Sequence, residues 1–130
     1  MNDRFDIVTE RVLTIFRIEI DKVYNRIKER SYEAVHVFAA NRTRAPFQTI
    51  FDHRYNKTNV SEIVHCSSDL IVALEKFFTE VDSIKWYLDY TQDMPGTVRG
   101  RLDQSIRELG RSYEMASVLI KAELSVHKDD

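Results

Sequence analysis

Two Glu-x-x-His pairs offer the most recognisable chemistry in the chain, Glu33 with His36 and Glu62 with His65. On a helix this spacing places both side chains on one face, and di-iron carboxylate bundles use two such pairs plus a Glu from each of two further helices. The phase argues against that use. Both pairs fall on the flank or back of their helices rather than in the apolar seam, and only Glu114 and Glu123 offer themselves as bridging acids, through dimerisation. Ordinary surface placement is the plainer reading, and no metal or other cofactor is expected.

Two further histidine arrangements carry resemblances. The run Glu62-Ile-Val-His65-Cys-Ser-Ser-Asp69-Leu70 looks like the phosphoacceptor region of the dimerisation and phosphotransfer domains of two-component signalling. That resemblance implies a helical hairpin with His65 taking the phosphoryl group. The chain departs from it by having no acid directly after the histidine, no Lys-Gly pair and no following ATP-binding domain. Arg30 and His36, six residues apart, are similar to the motif of small helical RNases of the HEPN type, with Ser31 as the polar residue after the arginine. The resemblance implies RNA cleavage beside the ribose 2′-hydroxyl. The pair stands in the first helix, whereas that family carries it late in the bundle. There is no Gly-rich phosphate loop, no serine-nucleophile motif and no zinc spacing. Cys66 has no evident base beside it, so the balance is against an enzyme.

The stretch 41–58 is the only sizeable segment without periodicity. Arg42, Arg44, His53, Arg54 and Lys57 stand there against the single acid Asp52, with Phe47, Phe51 and Tyr55 at four-residue spacing. Cations that hold phosphate beside aromatics that stack suit nucleic acid. A crossover that tucks its aromatics into the end of a bundle explains the same residues. Contact with an anion or nucleic acid through Arg42, Arg44, Arg54 and Lys57 therefore stays an alternative.

The elements that position these residues are helices. Ile63, Ser67, Leu70, Leu74, Phe77, Val81, Ile84 and Leu88 alternate steps of four and three, the seam that buries one side of a helix. Asn59 with Glu62 reads as a capping box, so the spacing predicts one helix over about 60–92. Thr97 is the expected cap of a second, over about 97–126, with Val98, Leu102, Ile106, Leu109, Tyr113, Ala116, Ile120 and Leu124 as its stripe. The short link through Pro95-Gly96 predicts an antiparallel hairpin of helices of similar length. A first helix over about 3–40 uses Phe5, Val8, Val12, Ile15, Phe16, Val23, Ile27, Ala34, Val37 and Phe38, with a kink at Arg30-Ser31 as the alternative to one continuous helix.

The expected fold is therefore all-α: a single domain over 1–130, an up-and-down bundle of three long helices plus a short crossover helix. The three glycines and two prolines leave few turns, and 43% hydrophobic residues suffice for a core. The net charge of −2 argues against a general polyanion binder. The charge is uneven, with eleven Lys/Arg against eight Asp/Glu in residues 1–57, and two against seven in 58–98. A basic first part is expected to lie against an acidic central helix. One cysteine, no apolar N-terminal leader and no long apolar run point to a soluble cytoplasmic protein without a membrane segment.

Val72, Trp86 and Tyr90 fall away from the seam. They are either covered by the first helix or form an interface, where exposed Trp and Tyr are favoured. The expectation is a non-catalytic module that binds another protein (an adaptor, regulator or small-partner chaperone) and forms a homodimer through the central helix.

Overall fold

A computed structural model describes residues 3–55 and 60–128, with side chains placed for 7–55 and 61–126. The chain is all-α, and no strand occurs among the described residues. Five helices follow one another: α1 (Asp3–Asn41), α2 (Ala45–Ile50), α3 (Val60–Ile63), α4 (Ser68–Tyr90) and α5 (Pro95–Lys128).

α1 runs 39 residues without a break, about 58 Å at 1.5 Å per residue. Its buried seam is Thr9, Leu13, Phe16, Ile20, Val23, Ile27, Ser31, Ala34 and Phe38. The phase differs from the expected one: Val8 and Ile15 are 39% and 64% exposed, and Val12 lies on the flank. Ser31 does not open a new helix; it fills a seam position inside α1, fully buried. The side chain of Phe5 lies outside the described residues. At the end of α1, Arg42 adopts the left-handed conformation (φ 58°) and its N–H bonds Phe38 O at 2.8 Å. This is the closing residue usually supplied by glycine.

The helix expected over 60–92 is divided. α3 is one turn long, the chain turns through His65 and Cys66, and α4 begins afresh. Ser67 is the reason: its hydroxyl accepts the Leu70 N–H at 3.1 Å, an N-cap where the periodicity had suggested a seam position. Asn59, the expected cap, lies outside the described residues. Beyond the break the seam holds, and Leu70, Leu74, Phe77, Val81, Ile84 and Leu88 are all buried. α5 starts earlier than expected. Pro95 opens its first turn, where a missing N–H costs nothing, and Val98 N–H reaches Met94 O at 3.0 Å. α5 is 34 residues long and α4 only 23, so the two are not matched in length.

α4 and α5 are antiparallel, as Arg101 on Tyr87, Ser112 on Glu80 and Glu123 on Ser67 show in succession. α5 nevertheless makes its most extensive contact with α1. That pair is also antiparallel, with Asp103 at Tyr32 and Tyr113 at Asp21 and Tyr24. α1 and α4 therefore run parallel. The segment between them travels back down the bundle: α2 packs near Phe38, His53 and Tyr55 reach Phe78, and Tyr55 reaches Phe16. The crossover thus supplies the fourth, descending member of the bundle.

Candidate functional site

The bundle separates the residues that could have formed a metal centre. Glu33 and His36 are exposed on α1 near its end. His65 lies beside Thr9, 3.3 Å from its hydroxyl, at the start of α1. Glu33 is 24 residues along the same helix from Thr9, about 36 Å away. Glu123 accepts the Ser67 N–H, and Glu114 lies exposed on α5. Among the described residues no three His, Cys, Asp or Glu side chains converge on one point. Arg30 and His36 are both exposed and stand about 120° apart around α1, so they do not converge on one substrate atom. Cys66 is buried; burial first, and the nearby Glu123 charge second, push its thiol up to about 11. A thiol held protonated at neutral pH is a poor nucleophile.

A histidine–carboxylate pair is built at a residue that spacing did not single out for chemistry. His53 Nε2 lies 2.7 Å from Asp82, and its Nδ1 accepts the Tyr55 N–H at 3.2 Å. Accepting that bond leaves the proton on Nε2, the tautomer of a neutral ring. Its ring packs on Phe78, and both nitrogens are occupied, so the pair ties the crossover to α4 rather than awaiting a substrate.

The basic crossover turns inward. Arg44 donates to Leu88 O at 2.7 Å and Thr91 O at 2.8 Å, and lies over the Phe38 ring. It satisfies the last carbonyls of α4 and meets the negative end of its dipole. Arg26 does the same for α2, donating to Ile50 O and Asp52 O. Phe47 and Phe51 are buried, and Tyr55 stacks on Phe78 at 4.5 Å, so these rings are not displayed for bases. Of the residues expected to hold an anion, Arg44 is therefore reassigned to capping. Arg42 and Arg54 are exposed, and Lys57 lies outside the described residues.

Four tyrosine hydroxyls stitch the bundle to carboxylates. Tyr32 bonds Asp103, Tyr113 bonds Asp21 at 2.5 Å, Tyr87 bonds Asp93 at 2.6 Å, and Tyr55 bonds Glu75. The bond to Asp21, with burial, holds Tyr113 up at about 12; burial and then Glu75 do the same for Tyr55. Tyr24 stacks on Tyr113 at 4.3 Å and carries Lys28 above its ring. Together with Arg107, Arg111 and Met115 these line an open groove of about 820 Å³ between α1 and α5. Nothing in the local periodicity announces the Tyr32–Asp103 and Tyr113–Asp21 pairs, because their members lie 71 and 92 residues apart.

The outer face of α4 remains open. Val72, Trp86 and Tyr90 are 68%, 67% and 66% exposed, so α1 does not cover them. The Trp86 and Tyr90 rings lie 5.4 Å apart. Val72 is 14 residues from Trp86, about 21 Å, with Lys76, Thr79 and Ser83 between. Among the described residues no helix is long and apolar enough to cross a membrane. Comparison with protein-family models, with curated proteins and with solved structures finds no match.

Proposed function

We propose that this chain is a non-catalytic helical interaction module that binds another protein through the outer face of α4. One observation carries the reading: Trp86 and Tyr90 lie side by side in solvent while the core beneath α4 closes without them. Large aromatic side chains left open at the surface are the usual anchors of an interface. The alternatives based on His65 and on Arg30 with His36 have less support: His65 stands in the turn before α4 beside Thr9 rather than on a helix face, and Arg30 and His36 stand about 120° apart around α1. The finer parts of the reading are an adaptor, regulator or small-partner chaperone at work in the cytoplasm. A symmetric pair of chains through the same face is the second form of the reading, favoured by the length of the exposed stripe from Val72 to Tyr90.

The test compares the parent chain with Trp86→Ala/Tyr90→Ala and with Glu29→Ala, an exposed control on α1. Circular dichroism and Tm should be nearly unchanged in all three. In-cell crosslinking followed by identification of bound proteins should lose its specific partners in the double variant alone. Recovery of the same partners by the double variant sinks the assignment.

A further inference from the structure

The outer face of α4 has a second feature beside its aromatics. Val72, Lys76, Thr79, Ser83, Trp86 and Tyr90 follow steps of four and three, the spacing along which one helix receives another. Along the crossover side of this seam stand Glu75, Asp82 and Asp89, each about 10.5 Å from the next. The crossover holds all three with neutral donors: Tyr55 hydroxyl to Glu75, His53 Nε2 to Asp82 at 2.7 Å, and Gln48 Nε2 to Asp89 at 3.0 Å. Such donors fix where a carboxylate points and leave its charge in place. α4 carries five carboxylates against two lysines, and neither Lys76 nor Lys85 reaches a carboxylate at ion-pair distance among the described residues.

We propose that this face binds a cationic amphipathic helix of another protein, its apolar side chains on Trp86, Tyr90 and Val72 and its Lys or Arg side chains along the Glu75–Asp82–Asp89 edge. The proposal rests on the reading of α4 as a docking face and names the chemistry of the occupant. A second copy of this chain fits less well. An antiparallel pair sets the acidic edge against itself, Asp82 near Asp82 and Glu75 near Asp89. A parallel pair sets Lys76 against Lys76. Like charges facing each other across an interface disfavour the match. A helix with cations on the matching edge meets no such penalty, and docked carboxylates already held in place lose little freedom.

Trp86 is the only tryptophan of the chain, so its emission reports docking without a label. The probe is a synthetic helix of about 20 residues, long enough for the roughly 27 Å from Val72 to Tyr90. It carries Leu and Ile along one seam and Lys on both flanks, and its control carries Glu in place of Lys. With the full chain, the Lys peptide should shift Trp86 emission to the blue and saturate. It should bind at least about tenfold more tightly than the Glu peptide, and weaken by a similar factor at about 0.5 M salt, where the Debye length is about 4 Å. Glu75→Gln/Asp82→Asn/Asp89→Asn should lose the same factor. The control peptide and the salt series decide the matter if that variant folds poorly. Equal binding of the two peptides overturns the cationic partner and leaves the docking face standing. A blue shift on concentrating the chain alone also overturns it, in favour of a second copy. No shift with either peptide and none on concentration sinks both the partner and the docking face.

Discussion

Gly110 lies in the middle of α5, where replacing glycine by alanine ordinarily stabilises a helix by about 1 kcal/mol. Here the opposite is expected. A Cβ on Gly110 would stand 2.7 Å from the Tyr24 hydroxyl oxygen, and ordinary contact begins near 3.4 Å. The tyrosine would have to retreat by about 0.7 Å, yet it is stacked on Tyr113 at 4.3 Å and covered by Lys28. Overpacking of this kind costs about 1–3 kcal/mol, so Gly110→Ala should destabilise by about 1 kcal/mol net, or about 3–5 °C in Tm. The Tyr24 hydroxyl makes no hydrogen bond among the described residues, and Tyr24→Phe alone should be close to neutral. It removes the clash, because the nearest remaining ring atoms lie 3.6 and 3.9 Å from the new Cβ. In the Tyr24→Phe background Gly110→Ala should therefore stabilise by about 1 kcal/mol, giving a coupling of about 2 kcal/mol in the double-mutant cycle. Urea unfolding of the four proteins at constant slope measures it. Alanine that stabilises both backgrounds equally would show that Tyr24 swings aside freely and would refute the steric account of Gly110.

Arg44→Ala should cost about 2–3 kcal/mol in urea unfolding, because two carbonyls at the end of α4 lose a charged donor, and Arg44→Lys should recover only part of it. The Ser31 hydroxyl is buried and has no partner among the described residues, so Ser31→Ala should raise stability by about 1 kcal/mol; a loss of that size would refute the reading of an unsatisfied hydroxyl. Tyr55 and Tyr113 titrate near 12 in the folded chain against 10.0 for free tyrosine. The folded state thus keeps these protons longer than the unfolded one. Stability should be level below pH 10 and fall as pH rises from 10 towards 12, and Tyr113→Phe should flatten part of that fall in urea midpoints.

The helical class was legible because two long stretches keep their period strictly. From Leu70 to Leu88, and from Val98 to Leu124, the apolar positions that spacing selects are buried, with Tyr113 partly so. The phase of α1 was not legible in the same way. Thr9 and Ser31 occupy seam positions while Val8 and Ile15 face solvent, so a rule that reads hydrophobicity alone rotates the helix. The break before α4 was hidden for a related reason. Ile63 and Val64 continue the apolar rhythm through the turn, and only the capping chemistry of Ser67 announces the new start. The Tyr32–Asp103 and Tyr113–Asp21 pairs were beyond reach, since their members are 71 and 92 residues apart and lie on the first and last helices.

The uneven charge of the chain has a different outcome from the simple one. A basic first part and an acidic central helix suggest mutual neutralisation, and the crossover does lie along α4. The described contacts across that seam are of another kind. Arg44 is spent on the carbonyls of Leu88 and Thr91. The carboxylates of Glu75, Asp82 and Asp89 are met by a tyrosine, a neutral histidine and a glutamine. A cation in each of those places would have bonded the carboxylate equally well and removed its field. Neutral donors give the geometry without the neutralisation, so the acidic edge reaches the surface oriented and still charged, directly beside Trp86 and Tyr90. Under the proposed docking on α4, the same residues that close the bundle from within would set the charge that a partner has to match.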